Sequence, residues 1–476
     1  MKSYIMDQKH SSTHLVFILF FLNIFACGPK PESVTGERVD ILITGATIIT
    51  SDDVRPVIDE GFLAVRHGKI IDLGKMADLG QKYSGEKIID ATGQLVMPGL
   101  INTHTHAAMT LFRGLANDLP LQEWLEKHIW PAEARYVRGE TVHTASLLAV
   151  AEMIQAGTTT FCDMYFFEEE VARAAKSSGM RAVVGEGILD FPTPDHPSPD
   201  KALAYTVELI RKWENDPLIS VAIAPHSPYT CSETLLRKCR HFADSLDVRL
   251  MIHLSETRKE VSDMKTLRNQ SPVEYLDQIG FLGPDVNAAH CVQVSEKDIA
   301  ILASKGVGVS HNPQSNMKLA SGVAPVPAML KAGLAVGLGT DGVASNNDLN
   351  LWEEMNTTSL LQKVFLNDPT AMNPKAVIKM ATIDGAKILG LDNKIGSLKA
   401  GKQADLIIVD LKEPHNQPQY DIFSLLVYST DAADVETVIV DGKIVMENRQ
   451  LLTIDEAEVL ANFSRITSEI QKEMVE

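Results

Sequence analysis

Met97-Pro98-Gly99-Leu100-Ile101-Asn102-Thr103-His104-Thr105-His106 is the stretch from which the fold of this chain can be read. A mostly apolar run, Leu95 to Ile101, leads into two histidines one residue apart. On a β-strand, residues i and i+2 face the same way, so both imidazoles project from one side. Two same-side imidazoles at a strand's end form half of a metal site, and imidazole suits zinc and iron(II). A His-x-His pair also occurs as two polar residues after an edge strand. The reading therefore depends on whether the rest of the chain supplies the other half.

Four further apolar runs stop at an ionisable residue. Val221 to Pro225 runs into His226, and Arg249 to Ile252 into His253-Leu254-Ser255-Glu256. Asn287 to Ala289 runs into His290, and Ala335 to Thr340 into Asp341. One buried histidine is more often a satisfied core residue than a ligand; five strand ends behaving alike are not explained that way. The strand-like segments Ser220 to Ala224, Arg249 to His253, Val286 to Ala289, Gly306 to Ser310 and Leu334 to Gly339 alternate with helical stretches. Strands alternating with helices imply a parallel sheet, and this many units imply an α/β fold of the (β/α)8, TIM-like barrel type. In such barrels catalytic residues sit at the C-terminal ends of the strands.

Outside that region the texture changes to short strands and turns. Val39 to Thr50, Gly61 to Gly74 and Lys87 to Asp90 are punctuated by Gly45, Gly68-Lys69 and Gly93. The pattern returns in Gly396 to Gly401, Ala404 to Val409, and Val435 to Val445 around Asp441-Gly442. The organisation expected is a barrel over 97–395 inserted into a composite β-sandwich formed by both chain ends, 38–96 and 396–450. Residues 451–476 read as an amphipathic C-terminal helix with Asp455 near its start. No period typical of a solenoid repeats.

With 476 residues, 45% hydrophobic and 22% charged, the chain can bury a large core. A net charge of −18 and a pI near 5.3 argue against nucleic acid as a partner. The five cysteines form no C-x-x-C pair, which removes zinc-ribbon and thioredoxin readings. The missing Pro-Cys-x-x-Cys also removes the cysteine-ligated nucleobase deaminases. At the N-terminus, Lys2 and Lys9 precede an apolar run from Leu15 to Ala26 that is short for a membrane span. Ile24-Phe25-Ala26-Cys27 followed by Gly28-Pro29-Lys30-Pro31 resembles a bacterial lipoprotein cleavage site, though Phe25 is bulkier than that pattern usually allows. Residues 1–37 are therefore expected to be a signal and tether, with acylated Cys27 anchoring the protein in the cell envelope. The alternatives are an uncleaved anchor, or a cytoplasmic protein with a misassigned start.

Neutral imidazoles and a carboxylate hold a divalent ion and leave a place for water, whose pKa the ion lowers toward neutrality. A carboxyl group that does not bind the ion must then move protons. Glu256 lies three residues beyond His253, placed to reach over a metal without ligating it. The blander alternative for Glu256 is a solvated loop acid.

Taken together, Pro98 to His106, Pro225-His226-Ser227-Pro228-Tyr229, His253-Leu254-Ser255-Glu256, Ala289-His290-Cys291, Ser310-His311-Asn312-Pro313 and Gly339-Thr340-Asp341-Gly342 resemble the amidohydrolase superfamily. The resemblance is strongest to its methylthioadenosine/S-adenosylhomocysteine deaminase branch, related to the chlorohydrolases, and covers nearly everything after residue 37. It implies that His104, His106, His253 and Asp341 bind one divalent metal per subunit, Zn2+ with Fe2+ as the alternative. Glu256 would be the proton shuttle, and His290 and Asp341 would orient water and relay its proton. Two-metal relatives bridge their ions with a modified lysine, and Ser220 to His226 contains none, so a mononuclear centre is expected.

The resemblance also implies substrate contacts. Glu133 in Ile129-Trp130-Pro131-Ala132-Glu133 would bind ribose hydroxyls, and Trp124 would pack on the nucleoside. His226 would reach toward the ring or ribose, and His311 would contact substrate or support the site from behind. Trp130 is read as helix core. Relatives that accept a homocysteine tail place arginines after the third strand, where this chain has Gly185-Glu186-Gly187 and no arginine up to Lys201. A carboxylate facing Glu186 would be repelled, which favours methylthioadenosine or adenosine over S-adenosylhomocysteine. His67, His128, His143, His196, His241 and His415 read as surface or core, Cys162 and Cys291 as packing, and Glu168-Glu169-Glu170 as the first turn of a helix.

The expected activity is hydrolytic deamination of an adenine nucleoside at C6, with release of ammonia. The alternatives are deamination or dechlorination of another nitrogen heterocycle (guanine, pterin, triazine) and a non-catalytic ligand-binding lipoprotein. The expected partner is a small-molecule nucleoside, with homo-oligomerisation by analogy only.

Overall fold

A computed structural model describes residues 36–475. The signal-like segment and Cys27 lie outside the described residues. Among those described, no helix is long and apolar enough to cross a membrane.

The first five strands are β1 (Glu37–Ile49), β2 (Val57–Arg66), β3 (Lys69–Lys75), β4 (Tyr83–Asp90) and β5 (Gln94–Pro98). Next come β6 (Leu100–Thr105), β7 (Thr158–Tyr165), β8 (Arg181–Ile188), β9 (Ile219–Val221) and β10 (Ala224–Pro225). They are followed by β11 (Leu250–Leu254), β12 (Val286–His290), β13 (Gly308–His311) and β14 (Val336–Leu338). The chain ends with β15 (Leu406–Asp410), β16 (Val435–Val440), β17 (Lys443–Glu447) and β18 (Gln450–Leu451), then a helix over Glu456–Val475. Asp455 accepts a hydrogen bond from the Glu458 amide at 3.0 Å and so caps that helix.

Strands from both chain ends share one nine-stranded sheet, in the order β18-β17-β16-β15-β5-β1-β2-β3, with β4 paired to β1. β5 is the stitch: it runs parallel to β1 through Thr47 and Leu95, and antiparallel to β15 through Pro98 and Leu406. The β-branched residues Ile41, Ile43, Ile58, Val96, Ile408 and Ile439 fill one apolar cluster between these strands. Because β5 leads directly into β6, the sheet sets the position of the histidine-bearing strand.

The segments between are parallel. β6, β7, β8 and β10 form one sheet with β9 paired to β8, and β11, β12, β13 and β14 form another. The sheets meet at both edges. At one, Met251 N–H donates to the Ile223 carbonyl at 3.0 Å and His253 N–H to the His226 carbonyl at 2.9 Å. At the other, Thr103 Oγ1 donates to the Leu338 carbonyl at 2.9 Å and Asp341 N–H to the His104 carbonyl at 3.0 Å. The strand expected over Ser220 to Ala224 is split in two. Ala222 bonds back to Val184, Ile223 turns to Arg249, and Pro225 has no N–H to continue the ladder. Helices such as Gly139–Gln155, Pro199–Trp213, Glu233–Leu246 and Glu296–Lys305 separate the strands. Ser232 and Ser295 cap two of them, each accepting from the amide three residues on.

Candidate active site

Four strand ends converge on one centre. His104 lies within β6 and His106 one residue beyond it, His253 lies within β11, His290 ends β12, and Asp341 follows β14. His290 and Asp341 adopt left-handed backbone conformations, φ 71° and 62°, which cost a non-glycine residue energy and cluster where geometry is functional. Gly339 permits β14 to approach β6, since a Cβ there would lie 2.9 Å from the His104 amide nitrogen.

Nitrogen and carboxylate atoms meet closely. Asp341 Oδ1 lies 3.2 Å from His106 Nε2 and 3.5 Å from His104 Nε2, and His253 Nε2 lies 3.4 Å from His106 Nε2. His106 Nδ1 donates to the Met164 carbonyl and His253 Nδ1 to the His226 carbonyl at 2.7 Å. Those bonds fix the tautomer and leave each Nε2 lone pair aimed inward, as metal-ligating histidines require. His104 Nε2 is buried without any hydrogen-bond partner. Burial lowers His104 to about 4 and also drives His253 well down, so both are neutral donors. Burial opposes charge on Asp341, but the His104 and His106 imidazoles outweigh it and hold the carboxyl well below its ordinary value. Its other oxygen accepts from Ser315 Oγ at 2.6 Å and Ser345 Oγ at 3.0 Å. An orphaned imidazole nitrogen, two fixed tautomers and one ionised carboxylate fit a divalent cation.

Beside this cluster stands a proton-handling pair. Glu256 is 5% exposed, its carboxyl is raised by burial, and its Oε2 lies 3.9 Å from His290 Nε2. Ser321 Oγ donates to Glu256 Oε1 at 3.2 Å. Glu260 accepts the amides of Ser255 and Glu256, both at 2.8 Å, and so fixes the turn that presents the catalytic candidate. His290 Nδ1 bonds Asn316 Oδ1 at 2.9 Å, which leaves Nε2 as the free acceptor on the Glu256 side.

The cluster floors a cleft of about 690 Å³, open solvent at its mouth included. That is an ordinary size for a small-molecule site. His106, His253, His290, Asp341, Glu256, Glu133, His226 and Trp124 all border it. Glu133 is 4% exposed and burial pushes its carboxyl up to about 7, with the Tyr165 hydroxyl working the other way. His226 stays neutral, lowered to about 3 by burial and by the surrounding imidazoles, while its Nδ1 bonds Thr230 Oγ1 at 2.9 Å.

Three expectations need adjustment. His311 is fully buried and does not border the cleft, so of its two expected roles support from behind is the one its place fits. Trp130 packs against the apolar core as expected, and it also borders the cleft and packs edge-on against Phe191 at 5.4 Å. Glu186 is fully buried but turned onto the Glu168 amide at 3.1 Å, away from the cleft, so it repels nothing there. Among the described residues no lysine or arginine borders the cleft, while Lys259 and Arg268 line an adjoining depression that shares Leu125, Trp130 and Tyr229 with it. Among the remaining histidines, His67, His128, His241 and His415 are exposed, and His143 bonds the Glu170 carbonyl. Cys162 and Cys291 are buried packing. Ser315, Asn316, Ser321, Ser345 and Glu260 carried no sequence signal beyond lying shortly after the His-Asn-Pro, Asp-Gly and His-x-x-Glu motifs.

Comparison with known proteins gives a concordant picture. A model of the amidohydrolase family matches residues 95–445. A 5-methylthioadenosine/S-adenosylhomocysteine deaminase of Syntrophobacter fumaroxidans is 48% identical over 435 residues, covering 91% of this chain and 99% of the relative. A 5'-deoxyadenosine deaminase of Methanosarcina mazei is also 48% identical, over 90% of this chain and 98% of that protein. The crystal structure of an adenosine deaminase from Xanthomonas campestris with bound zinc superposes with a TM-score of 0.90 at 39% identity, covering 92% of this chain and 100% of that one.

Proposed function

The chain belongs to the amidohydrolase family, and from that premise we propose that it is a hydrolytic deaminase of adenine nucleosides, releasing ammonia and leaving the inosine analogue. The observation that carries this reading is the joint placement of the Glu256–His290 pair at the floor of the cleft and Glu133 in its wall. The floor suits proton transfer to a purine, and a buried carboxylate in the wall suits paired ribose hydroxyls.

The site takes a divalent metal, and we assign it to His104, His106, His253 and Asp341, with zinc as the ion. When bound, the ion supplies the Lewis acidity that brings the pKa of water toward neutrality. The protein's own groups do the rest. His290 Nε2, turned to the Glu256 side by the Nδ1 bond to Asn316 Oδ1, accepts a proton from water. Glu256, kept protonated more readily by burial, donates to N1 of the purine, which makes C6 electrophilic toward the water oxygen. As the C6–O bond forms, the carboxylate left behind takes the second water proton from the C6 hydroxyl and passes it to the amino group. The C6–N bond then breaks to release ammonia, and the proton held by His290 returns to Glu256. Asp341 stays ionised beside the imidazoles of His104 and His106 and would supply the carboxylate of the metal set. Glu133 orients the ribose, and Trp124 and His226 bound the nucleoside; the lack of lysine or arginine in the cleft lining among the described residues favours a 5'-methylthio, 5'-deoxy or plain ribose end.

In the same reading, the two parallel sheets close into a (β/α)8 barrel over 97–395, a closure supported by the hydrogen bonds at both sheet edges. The nine-stranded sheet, 38–96 with 396–450, wraps its apolar cluster as a sandwich, and the helix Glu456–Val475 follows it. We also carry forward lipid anchoring through Cys27 in residues 1–37 and a homo-oligomeric assembly, which rest on sequence pattern and analogy respectively.

The deciding experiment uses zinc-loaded protein and follows loss of the adenine chromophore. Methylthioadenosine, 5'-deoxyadenosine, adenosine and S-adenosylhomocysteine are compared, with Glu256→Gln as control. Turnover of the first three, abolished in the variant, is expected. No turnover of any adenosine by metal-replete protein would refute the substrate assignment.

A further inference from the structure

A second cluster of ionisable groups lies behind the cleft wall, at the start of the helix Glu168–Ser177. Glu186, Asp195 and His196 place one ligand atom each within 4.8 Å of one another. His196 Nε2 lies 3.6 Å from Asp195 Oδ2. That separation matches the edge of a tetrahedron whose ligands stand at about 2.1 Å from a central ion. Glu186 is fully buried, and its Oε1 has no donor within reach; its side-chain neighbour is the Asp195 carboxylate, another acceptor. His196 Nε2 is likewise buried without a partner. The donors that do reach this group are the Glu168 amide on Glu186 Oε2, the Phe167 amide on Asp195 Oδ2 and the Thr193 hydroxyl on Asp195 Oδ1, and they leave Glu186 Oε1 unmet.

Two acceptors facing each other in a dry setting require something positive between them, either a shared proton or a cation. A proton satisfies the two carboxyls but does nothing for the imidazole nitrogen. A cation satisfies all three. We propose that Glu186, Asp195 and His196 form a second divalent-cation site, separate from the catalytic centre and of the zinc, manganese or iron(II) class. Its effect is architectural. The ion would tie the loop after β8 back to Glu186 in β8 itself, and that loop carries Leu189, which borders the cleft, and Phe191, which packs on Trp130.

The test is a metal count by mass spectrometry on full-length protein saturated with zinc and then desalted. Two equivalents are expected in the wild type, and one in His196→Ala and in Glu186→Gln. Asp341→Asn is expected to lose the catalytic ion and activity while retaining one equivalent, which separates this site from the catalytic reading. Glu186→Gln is nearly isosteric, and circular dichroism checks that it folds. A count of one in the wild type overturns the proposal and leaves a shared proton between Glu186 and Asp195. A count of two that persists in His196→Ala also overturns it, because the second ion would then lie elsewhere.

Discussion

In the proposed reading Glu256 holds a proton and releases it to a ring nitrogen; burial raises its carboxyl, and His290 at 3.9 Å works the other way. Replacing it by glutamine keeps the shape and removes the proton. Glu256→Gln is therefore expected to lower kcat by about 10²–10⁴-fold with little change in KM, measured on methylthioadenosine. Glu133 makes the opposite kind of contribution. In the same reading its charged form accepts from ribose hydroxyls, while burial pushes its carboxyl up to about 7. Binding is thus strongest above that value and weakens as the pH falls through it. KM should rise on the acid side, approaching about tenfold per pH unit well below the midpoint, and Glu133→Gln should flatten the dependence. A KM that rises identically in Glu133→Gln would assign the pH dependence to another group.

Among the elements, strands were more legible than the loops joined to them. His104, His106, His253 and His290 could be located because an apolar run followed by an ionisable residue is a local pattern. Trp130, Glu186 and Asn316 could not, because what they touch is decided by packing between distant segments: Phe191 for Trp130, the start of the helix Glu168–Ser177 for Glu186, and the end of β12 for Asn316. The same holds for the split between β9 and β10, where Ile223 changes partner from one sheet to the other. The joint between the nine-stranded sheet and the parallel sheets is of this long-range kind too. Arg181, at the start of β8, donates from Nε to Asp405 Oδ2 at 2.9 Å and from Nη2 to Oδ1 at 3.1 Å, and both side chains are almost fully buried. Removing one partner strands a buried charge. Asp405→Asn is expected to cost about 3–5 kcal/mol in denaturant unfolding, whereas a surface pair such as Arg38 with Glu86 should cost under about 1 kcal/mol. Equal losses at both sites would contradict the burial argument.

For the molecule as a whole, two properties remain to be connected: where the chain resides and what holds its centre together. The Ala26-Cys27 junction reads as an acylation site, so labelled palmitate should enter the protein expressed from its full sequence and be absent from Cys27→Ser. Incorporation in neither would remove the anchor and leave the catalytic reading untouched. The centre is a different matter, because its stability and its chemistry depend on the same ion. A net charge of −18 and an inward-facing set of His104, His106, His253 and Asp341 make the metal-free state electrostatically poor. Without a cation, Asp341 draws a proton onto His106, raising it to about 9 against the penalty of burial. A cation that binds only the folded chain adds stability in proportion to the logarithm of its saturation, about 2.7 kcal/mol at a hundredfold excess over Kd. Chelation should therefore abolish turnover and lower the melting temperature together, and stoichiometric zinc should restore both. If chelation removed activity while leaving the melting temperature unchanged, the ion would not be part of the folded centre, and the four residues would have to be read as a preformed pocket that holds its shape unaided.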